Sequence, residues 1–222
     1  MLAENYRRVK AAIEKVALKA GSRPEDIKLI AVTKSATIEE IKMAAELGIN
    51  NFGANRVQEE AEKVKSLPEA NWHFIGHLQR NKVKYVLPVY CMVQTLDRLS
   101  LARELQRRAD KLDRDVAVLI QVNISGEQSK FGLAPAEVAP FLAQAARYDR
   151  LKIKGFMAMA PFVDDPEEAR PYFRSLRRLR DENASPGLEL TELSMGMTND
   201  FTVAIEEGAT MVRIGGALFG RR

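Results

Sequence analysis

The chain alternates short apolar segments with longer amphipathic ones from end to end. Its first amphipathic segment, Leu2–Lys19, places Val9 and Ile13 on one face and predicts a helix that ends before Gly21. Eight apolar segments predict strands: Lys28–Thr33, Asn51–Gly53, Trp72–Gly76, Cys91–Thr95, Val116–Asn123, Ile153–Met159, Leu188–Met195 and Met211–Gly215. Seven amphipathic segments predict helices between them: Thr37–Leu47, Arg56–Lys65, Asn81–Val86, Arg98–Lys111, Ala136–Tyr148, Pro166–Glu182 and Asp200–Glu206. This alternation predicts an α/β fold, a (β/α)8 TIM barrel with an extra N-terminal helix.

A single domain is expected for residues 1–222, because no linker rich in Pro, Gly or Ser divides the chain. The alternative architecture is an open, doubly wound sheet. Such a sheet usually has fewer strands, and its dinucleotide fingerprint G-x-G-x-x-G is missing from the first strand–helix turn. The pattern therefore favours the barrel.

Charge and composition exclude several classes of partner. The net charge is +4, and most basic residues are interleaved with acidic ones on helical segments. The densest basic clusters, Arg174–Arg180 and Arg221–Arg222, contain no aromatic residues, so we expect no nucleic-acid partner. No apolar segment approaches the roughly 18 residues that span a bilayer, and the segment Tyr6–Leu18 carries charges throughout. We expect a cytoplasmic protein with no membrane partner.

The content of cysteine and histidine bears on metals and disulfides. One cysteine excludes an internal disulfide framework, and one cysteine with two histidines argues against a structural zinc site. We therefore predict no metal site.

Lys34 follows the first predicted strand, Leu29–Thr33, and a predicted helix begins soon after it. The carboxyl ends of barrel strands are where such enzymes build their active sites. We expect Lys34 to be partly buried there and its amine to act as a nucleophile. The alternative is a surface lysine that only marks the end of a strand.

The ends of the seventh and eighth strands are rich in glycine and hydroxyl side chains. Ser194, Gly196 and Thr198 follow the seventh strand, and Gly215 and Gly216 follow the eighth. Barrels often bind a phosphate group at this place through backbone N–H groups, and hydroxyls add further hydrogen bonds. The alternatives are a strand-end turn for the glycines and helix capping for the hydroxyl residues.

Arg213 lies two residues before Gly215, so both residues point to the same face of the strand. An arginine that points into a barrel needs an acceptor, which is either a ligand or a carboxylate such as Glu192. An amine from Lys34, a phosphate cradle and an inward arginine together match pyridoxal phosphate (PLP). Its aldehyde forms an imine with lysine, and arginine can partner its pyridine nitrogen.

Five segments of the chain, in order, resemble the YggS/PROSC group of pyridoxal phosphate homeostasis proteins. They are Leu29–Lys34, Asn51–Glu59, Trp72–Lys82, Leu193–Phe201 and Met211–Gly220. The resemblance implies a barrel like the N-terminal domain of alanine racemase, a fold type III PLP protein, with Lys34 as the Schiff-base lysine. The cofactor-binding residues that we predict are Lys34, Asn55, Ser194, Gly196, Thr198, Arg213, Gly215 and Gly216, with His77 and Met195 as further candidates.

Three positions depart from the family pattern. The family usually has Glu at the position of Ala54, Ser at Thr198 and Thr at Gly216. Thr198 keeps a hydroxyl, whereas Gly216 keeps only its N–H, so the phosphate is expected to lose one hydrogen bond. The sequence offers no replacement for the acid missing at Ala54.

Two functions use the same lysine. The resemblance implies a PLP carrier that releases the cofactor to other proteins, such as PLP-dependent apoenzymes, or to free amino acids, and we expect a monomer. The alternative is a weak racemase or transaminase, which needs a second acid/base; His77, Tyr85 and Tyr90 are the candidates within the chain. A cofactor-free lysine aldolase also fits Lys34 and the phosphate loops. It fits Arg213 and the family resemblance less well.

Overall fold

A closed barrel of parallel strands forms the body of the structure, a computed structural model that describes residues 1–220. The basic pair Arg221–Arg222 lies outside the described residues. The strands follow one another around the barrel in chain order: β1 (Lys28–Val32), β2 (Asn51–Ala54), β3 (Asn71–Phe74), β4 (Met92–Leu96), β5 (Val116–Gln121), β6 (Leu151–Met157), β7 (Glu192–Ser194) and β8 (Met211–Ile214). Strand β8 pairs with β1 and closes the barrel. The predicted (β/α)8 barrel is confirmed.

Helices cover the outside of the barrel. They are α1 (Leu2–Lys19), α2 (Ile38–Glu46), α3 (Ala61–Ser66), α4 (Val83–Val86), α5 (Leu99–Leu112), α6 (Val138–Ala145), α7 (Arg170–Asn183), α8 (Phe201–Glu206) and α9 (Gly216–Phe219). The extra N-terminal helix α1 has the bounds that the apolar stripe predicts, and it packs against α8 and α9. In the described part of the chain, no helix is both long enough and apolar enough to cross a bilayer.

Apolar side chains fill two layers. A small cluster inside the barrel consists of Ile30, Met92, Leu119, Met157 and Met211. A larger core lies between the strands and the surrounding helices. Because the strands are covered on both faces, they appear in the sequence as continuous apolar segments rather than as alternating ones.

Strand register sets the neighbours of Lys34. Ala31 pairs with Ile214 of β8, and Val32 pairs with Gly53 of β2. The segment that follows β1 therefore lies between the ends of β8 and β2. The ends of β2 and β3 approach closely, because a Cβ at Gly76 would lie 1.9 Å from the carbonyl oxygen of Asn55.

Two predicted elements are shorter than expected. Helix α3 begins at Ala61 rather than at residue 56, because the side chain of Glu60 accepts hydrogen bonds from the N–H groups of Asn55 and Arg56. Strand β7 begins at Glu192 rather than at residue 188, because Leu188 forms a local turn with Ser185. The sequence pattern does not predict the short helix α9.

A buried acid ties α7 to the end of α8. Glu207, 4% exposed, accepts charge-assisted contacts from Arg170 at 3.1 Å, Arg174 at 2.9 Å and Arg177 at 3.4 Å. Two of these arginines belong to the basic cluster of α7. Burial opposes ionisation of Glu207, but the hydrogen bonds from Arg174 and Arg170 outweigh it and lower its pKa.

We expect Glu207→Gln to lower the free energy of unfolding by about 1–3 kcal/mol at pH 7, since it removes hydrogen bonds to a charged group. A carboxyl whose pKa is lowered on folding contributes stability above its ordinary pKa and loses it as the pH falls through the folded value. The difference between wild type and variant should therefore shrink below about pH 4.5. Urea denaturation at several pH values checks this. A difference that is independent of pH, or equal to that of the exposed control Glu182→Gln on α7, would contradict it.

Candidate cofactor-binding site

A pocket of about 330 Å³ opens at the carboxyl ends of β7, β8 and β1. It is lined by Val32, Pro161, Phe162, Val163, Met197, Thr198, Asn199, Asp200, Arg213, Gly215 and Gly216. The structure thus brings four of the predicted cofactor-binding residues into one pocket: Thr198, Arg213, Gly215 and Gly216. Strand order explains the grouping, since β7, β8 and β1 are neighbours in the barrel.

Gly215 leaves space in the pocket wall that the packing of the chain does not require. Its φ angle is −117°, which any residue adopts, and a Cβ there would meet Val32 only at ordinary van der Waals distances of 3.4 Å or more. A strand-end turn therefore does not account for glycine at this position. The missing side chain instead leaves room for a ligand beside β1.

Hydrogen-bond donors and a hydroxyl surround this space. Gly216 begins α9, so its backbone N–H has no acceptor within that helix. The hydroxyl of Thr198 accepts a hydrogen bond from the N–H of Ala217 at 3.4 Å, which joins the β7–α8 loop to α9. The predicted capping of α8 by Thr198 is wrong, because the hydroxyl points to α9 instead. This donor set suits a phosphate group.

Asp200 shapes the loop that carries Thr198. Its carboxylate accepts a hydrogen bond from the N–H of Met197 at 2.6 Å, and the residue is 6% exposed. Burial raises the pKa of Asp200, while the hydrogen bond from Met197 and the charge of Arg213 oppose the rise. The loop therefore places a partly compensated acid beside the buried arginine.

Arg213 lies at the bottom of the pocket and is 4% exposed. Its Nη1 donates to the hydroxyl of Ser194 at 2.7 Å, and its Nη2 donates to the carbonyl of Ala158 at 2.8 Å. The alternative salt bridge to Glu192 is wrong, because Glu192 pairs with Lys28 instead. Burial lowers the pKa of Arg213 to about 10, with the charge of Asp200 opposing it, so the guanidinium stays charged at neutral pH.

A chain of neutral hydrogen bonds continues from Arg213 through the barrel. The hydroxyl of Ser194 donates to Gln94 Oε1 at 2.6 Å, and Gln94 Nε2 lies 3.1 Å from His73 Nδ1. His73 Nε2 lies 3.3 Å from Asn51 Oδ1. Burial lowers the pKa of His73 to about 4, so it is neutral and can accept at Nδ1 while it donates at Nε2. Every donor in the chain thus meets an acceptor.

Three predicted contacts lie outside the pocket wall. Ser194 is fully buried and already bonded to Arg213 and Gln94, so it supports Arg213 instead of facing a ligand. Gly196 has φ +89°, and a Cβ there would lie 2.5 Å from the Cβ of Ala204, so packing against α8 requires this glycine. Met195 is fully buried in the core between barrel and helices. For these three residues the structure contradicts direct contact with a ligand in this pocket.

Lys34 stands at the mouth of the barrel, two residues beyond Val32 of the pocket wall. It is exposed, so the partial burial that we expected is wrong. Its backbone carbonyl lies 3.5 Å from Lys63 Nζ, which also donates to the carbonyl of Thr33 at 2.8 Å. The amine of Lys34 is therefore open to solvent and to the neighbouring pocket.

Asn55 and His77 lie in a second pocket of about 340 Å³ at the ends of β2 and β3, together with Phe74 and Lys82. The Oδ1 atom of Asn55 is buried and has no hydrogen-bond partner in the described part of the protein. The ring of His77 stacks on Phe131 with centroids 3.9 Å apart. Burial lowers the pKa of His77, and the charge of Asp97 opposes the shift. The two pockets lie on opposite sides of the β1 end.

The tyrosines considered as second bases are not arranged for that role. Tyr90 is 4% exposed and packs edge-on against Phe74 in the core. Tyr85 is exposed beside Val89 in a surface groove with α3. Within residues 1–220, no group of three or more His, Cys, Asp or Glu side chains is placed to hold a metal ion.

The family profile of the alanine racemase N-terminal domain matches residues 2–222. The chain belongs to this family. The pyridoxal phosphate homeostasis protein of Aquifex aeolicus is 42% identical to it over 222 residues, which cover 99% of this chain and 97% of that protein. The protein of the same name from Escherichia coli is 37% identical over 232 residues, with 100% and 96% covered. These relatives confirm the resemblance that the five motifs indicate.

Solved structures agree with this family. PipY of Synechococcus elongatus, in a structure with PLP bound, is 33% identical with a TM-score of 0.82, and the match covers 94% of this chain and all of that one. An alanine racemase of Clostridium difficile is 14% identical with a TM-score of 0.77, covering 99% of this chain and 57% of that one. The racemase shows the shared fold alone.

In this member of the alanine racemase N-terminal domain family, sequence patterns miss several residues of the site. Val32, the segment 161–163 and Asp200 line the pocket, and Gln94 supports it from below. Gln94 carries the one detectable signal, since it is a polar residue within the apolar strand β4. The loop 161–163 has no such signal, because its place depends on the ends of β6 and β7.

We expect Ser194→Ala to lower the free energy of unfolding by about 1–3 kcal/mol, because Arg213 Nη1 loses its acceptor and Gln94 Oε1 its donor in a buried place. Urea denaturation of the cofactor-free protein at pH 7 measures it. Ser175→Ala, at an exposed position on α7, is the control and should change stability by less than about 0.5 kcal/mol. Equal effects of the two substitutions would contradict the support of Arg213 by Ser194.

Proposed function

We propose that this chain is a PLP carrier that holds the cofactor as a Schiff base on Lys34 and releases it to other proteins or to free amino acids. The phosphate lies in the pocket of Thr198, Gly215 and Gly216. The observation that carries the proposal is the space at Gly215, which the packing of the chain leaves unexplained and which borders β1 two residues before Lys34. The PLP-bound structure of PipY and the names of the relatives support it.

The residues present fit this cofactor. A phosphate meets the N–H of Gly216 and the hydroxyl of Thr198, and an aldehyde meets the exposed amine of Lys34. Schiff-base formation joins Nζ to the aldehyde carbon and releases one water molecule. Hydrolysis, or exchange with an incoming amine, reverses it and frees Lys34. An exposed lysine suits this exchange, since water and amines reach it directly.

Arg213 favours holding over turnover. Bound PLP acts as an electron sink when its pyridine nitrogen is protonated. A buried guanidinium that stays charged at neutral pH disfavours a second positive charge nearby. With Tyr90 in the core and Tyr85 on the outer surface, a second acid/base beside Lys34 is also missing among these candidates. The racemase or transaminase alternative is therefore not favoured, and we propose that the protein acts as a monomer in the cytoplasm.

We expect Lys34→Ala to remove the visible absorption band of protein purified with PLP and to abolish the adduct that borohydride reduction fixes. Wild-type protein should carry that adduct on Lys34, as mapped by mass spectrometry of its peptides. Lys82→Ala, in the neighbouring pocket, is the matched control and should leave the adduct on Lys34. An adduct on Lys82 or Lys130, or an unchanged spectrum in Lys34→Ala, would overturn the assignment.

The same preparations separate carrier from catalyst. With L-alanine, the wild-type protein is expected to show no D-alanine at ordinary enzymatic rates of about 1–1000 per second. Rates in that range, abolished by Lys34→Ala, would favour the racemase instead.

We expect Gly215→Ala to weaken binding of PLP and of inorganic phosphate about 3–10-fold, the equivalent of one hydrogen bond, because a methyl group fills the space in the pocket wall. Thermal stability without ligand should hardly change, since the φ angle of −117° suits alanine. Isothermal titration with each ligand measures the change. Unchanged phosphate affinity would place the phosphate elsewhere.

A further inference from the structure

Glu60 is a buried acid that the pocket does not use. It is 3% exposed and lies directly before α3. Its Oε1 accepts hydrogen bonds from the N–H groups of Asn55 at 2.7 Å and Arg56 at 3.2 Å, and its Oε2 accepts one from the hydroxyl of Thr33. Within residues 1–220 it forms no ion pair, so neutral donors alone hold this carboxylate. Burying a charge in this way is costly unless its bonds are needed.

The three bonds join two strand ends. Thr33 directly precedes Lys34 at the end of β1, and Asn55 directly follows β2. One turn further along, Lys63 donates to the carbonyl of Thr33 at 2.8 Å and lies 3.5 Å from that of Lys34. The start of α3 therefore fixes the backbone beside Lys34 through a carboxylate and an ammonium group. Lys34 itself makes no side-chain hydrogen bond in the described part of the chain, so its backbone decides where its amine stands.

The position of this carboxylate bears on the departure at Ala54. Related chains usually carry Glu there, whereas Ala54 is fully buried and has no polar side chain. The N–H of the next residue, Asn55, donates to Glu60 at 2.7 Å. The carboxylate of Glu60 therefore lies beside the backbone of residue 54, at the end of the same strand.

We propose that Glu60 is the positioning residue for Lys34 and that its carboxylate takes the place of the acid missing at position 54. This inference rests on the proposed role of Lys34 in holding PLP. A purely structural role, in which Glu60 only anchors the β2–α3 loop, makes a different prediction. It predicts loss of stability but no specific change in the reaction of Lys34 with an aldehyde, and no rescue by an acid at position 54.

Three variants test the proposal: Glu60→Gln, Glu60→Ala, and Glu60→Ala combined with Ala54→Glu. Glu59→Gln is the matched control, because Glu59 is the neighbouring acid but is exposed and bonded to Arg56. Two measurements apply to each protein. Hydrogen exchange of the cofactor-free protein reports on the backbone of residues 33–36. Titration with PLP, followed by borohydride reduction and peptide mapping, gives the affinity and the fraction of adduct on Lys34.

We expect Glu60→Gln to bind PLP about 10-fold more weakly, as for loss of one charge-assisted hydrogen bond, and to exchange faster at residues 33–36. The double variant should recover most of both properties, and Glu59→Gln should match the wild type. Affinity and exchange in Glu60→Gln equal to wild type would overturn the positioning role. A double variant no better than Glu60→Ala would overturn the replacement of the missing acid, and it can be compared by folding midpoint even if Glu60→Ala unfolds.

Failure of the proposed function gives a separate result. If wild-type protein carries no reduced adduct on Lys34, the carrier proposal fails in the unsubstituted chain. The hydrogen-exchange comparison still decides in that case whether Glu60 fixes the backbone of residues 33–36.

Discussion

The interior of this barrel depends on one buried guanidinium that has no carboxylate partner. Arg213 is 4% exposed, and its hydrogen bonds go to a hydroxyl and a backbone carbonyl. The hydroxyl must then pass its own proton to another acceptor, which is Gln94 from the opposite side of the barrel. His73 can end this series only as the neutral imidazole that its lowered pKa of about 4 ensures. A single cation therefore dictates polar residues on several strands, and its charge remains available to whatever fills the pocket above it.

Closure of the barrel brings all strand ends to one mouth but does not merge them into one site. The ends of β7, β8 and β1 form the pocket with the glycine space, while those of β2 and β3 form the pocket of Asn55 and His77. Lys34 stands between them because β1 lies between β8 and β2. The bonds of Glu60 cross the same boundary, since they join Thr33 to Asn55. The register of three neighbouring strands thus sets the relation between the lysine and the phosphate-type pocket.

Periodicity predicted the architecture because burial on both faces leaves a clear pattern in the sequence. The helix α1 was predicted with its observed bounds, and each of the eight strands was found near its predicted place. The limits of β7 and α3 were not predicted, because side-chain bonds such as those of Glu60 end or delay an element without changing its apolar pattern. At the site, the two-residue spacing placed Arg213 and Gly215 in the same pocket. It could not show that Ser194 serves Arg213, since that depends on Gln94, 100 residues earlier in the chain.

Glycine gives the same sequence signal for two different physical reasons, and the structure separates them. At Gly196 the left-handed φ and the contact with Ala204 demand glycine for folding, whereas at Gly215 neither the backbone nor the packing does. Glycine that folding does not require is better explained by a ligand. The same reasoning separates the two buried charges. Arg213 lies in the pocket wall and faces its contents, whereas Glu60 spends its bonds on the backbone beside Lys34. One charge thus acts on the bound group and the other on the residue that holds it, an arrangement suited to reversible capture of an aldehyde by an exposed amine.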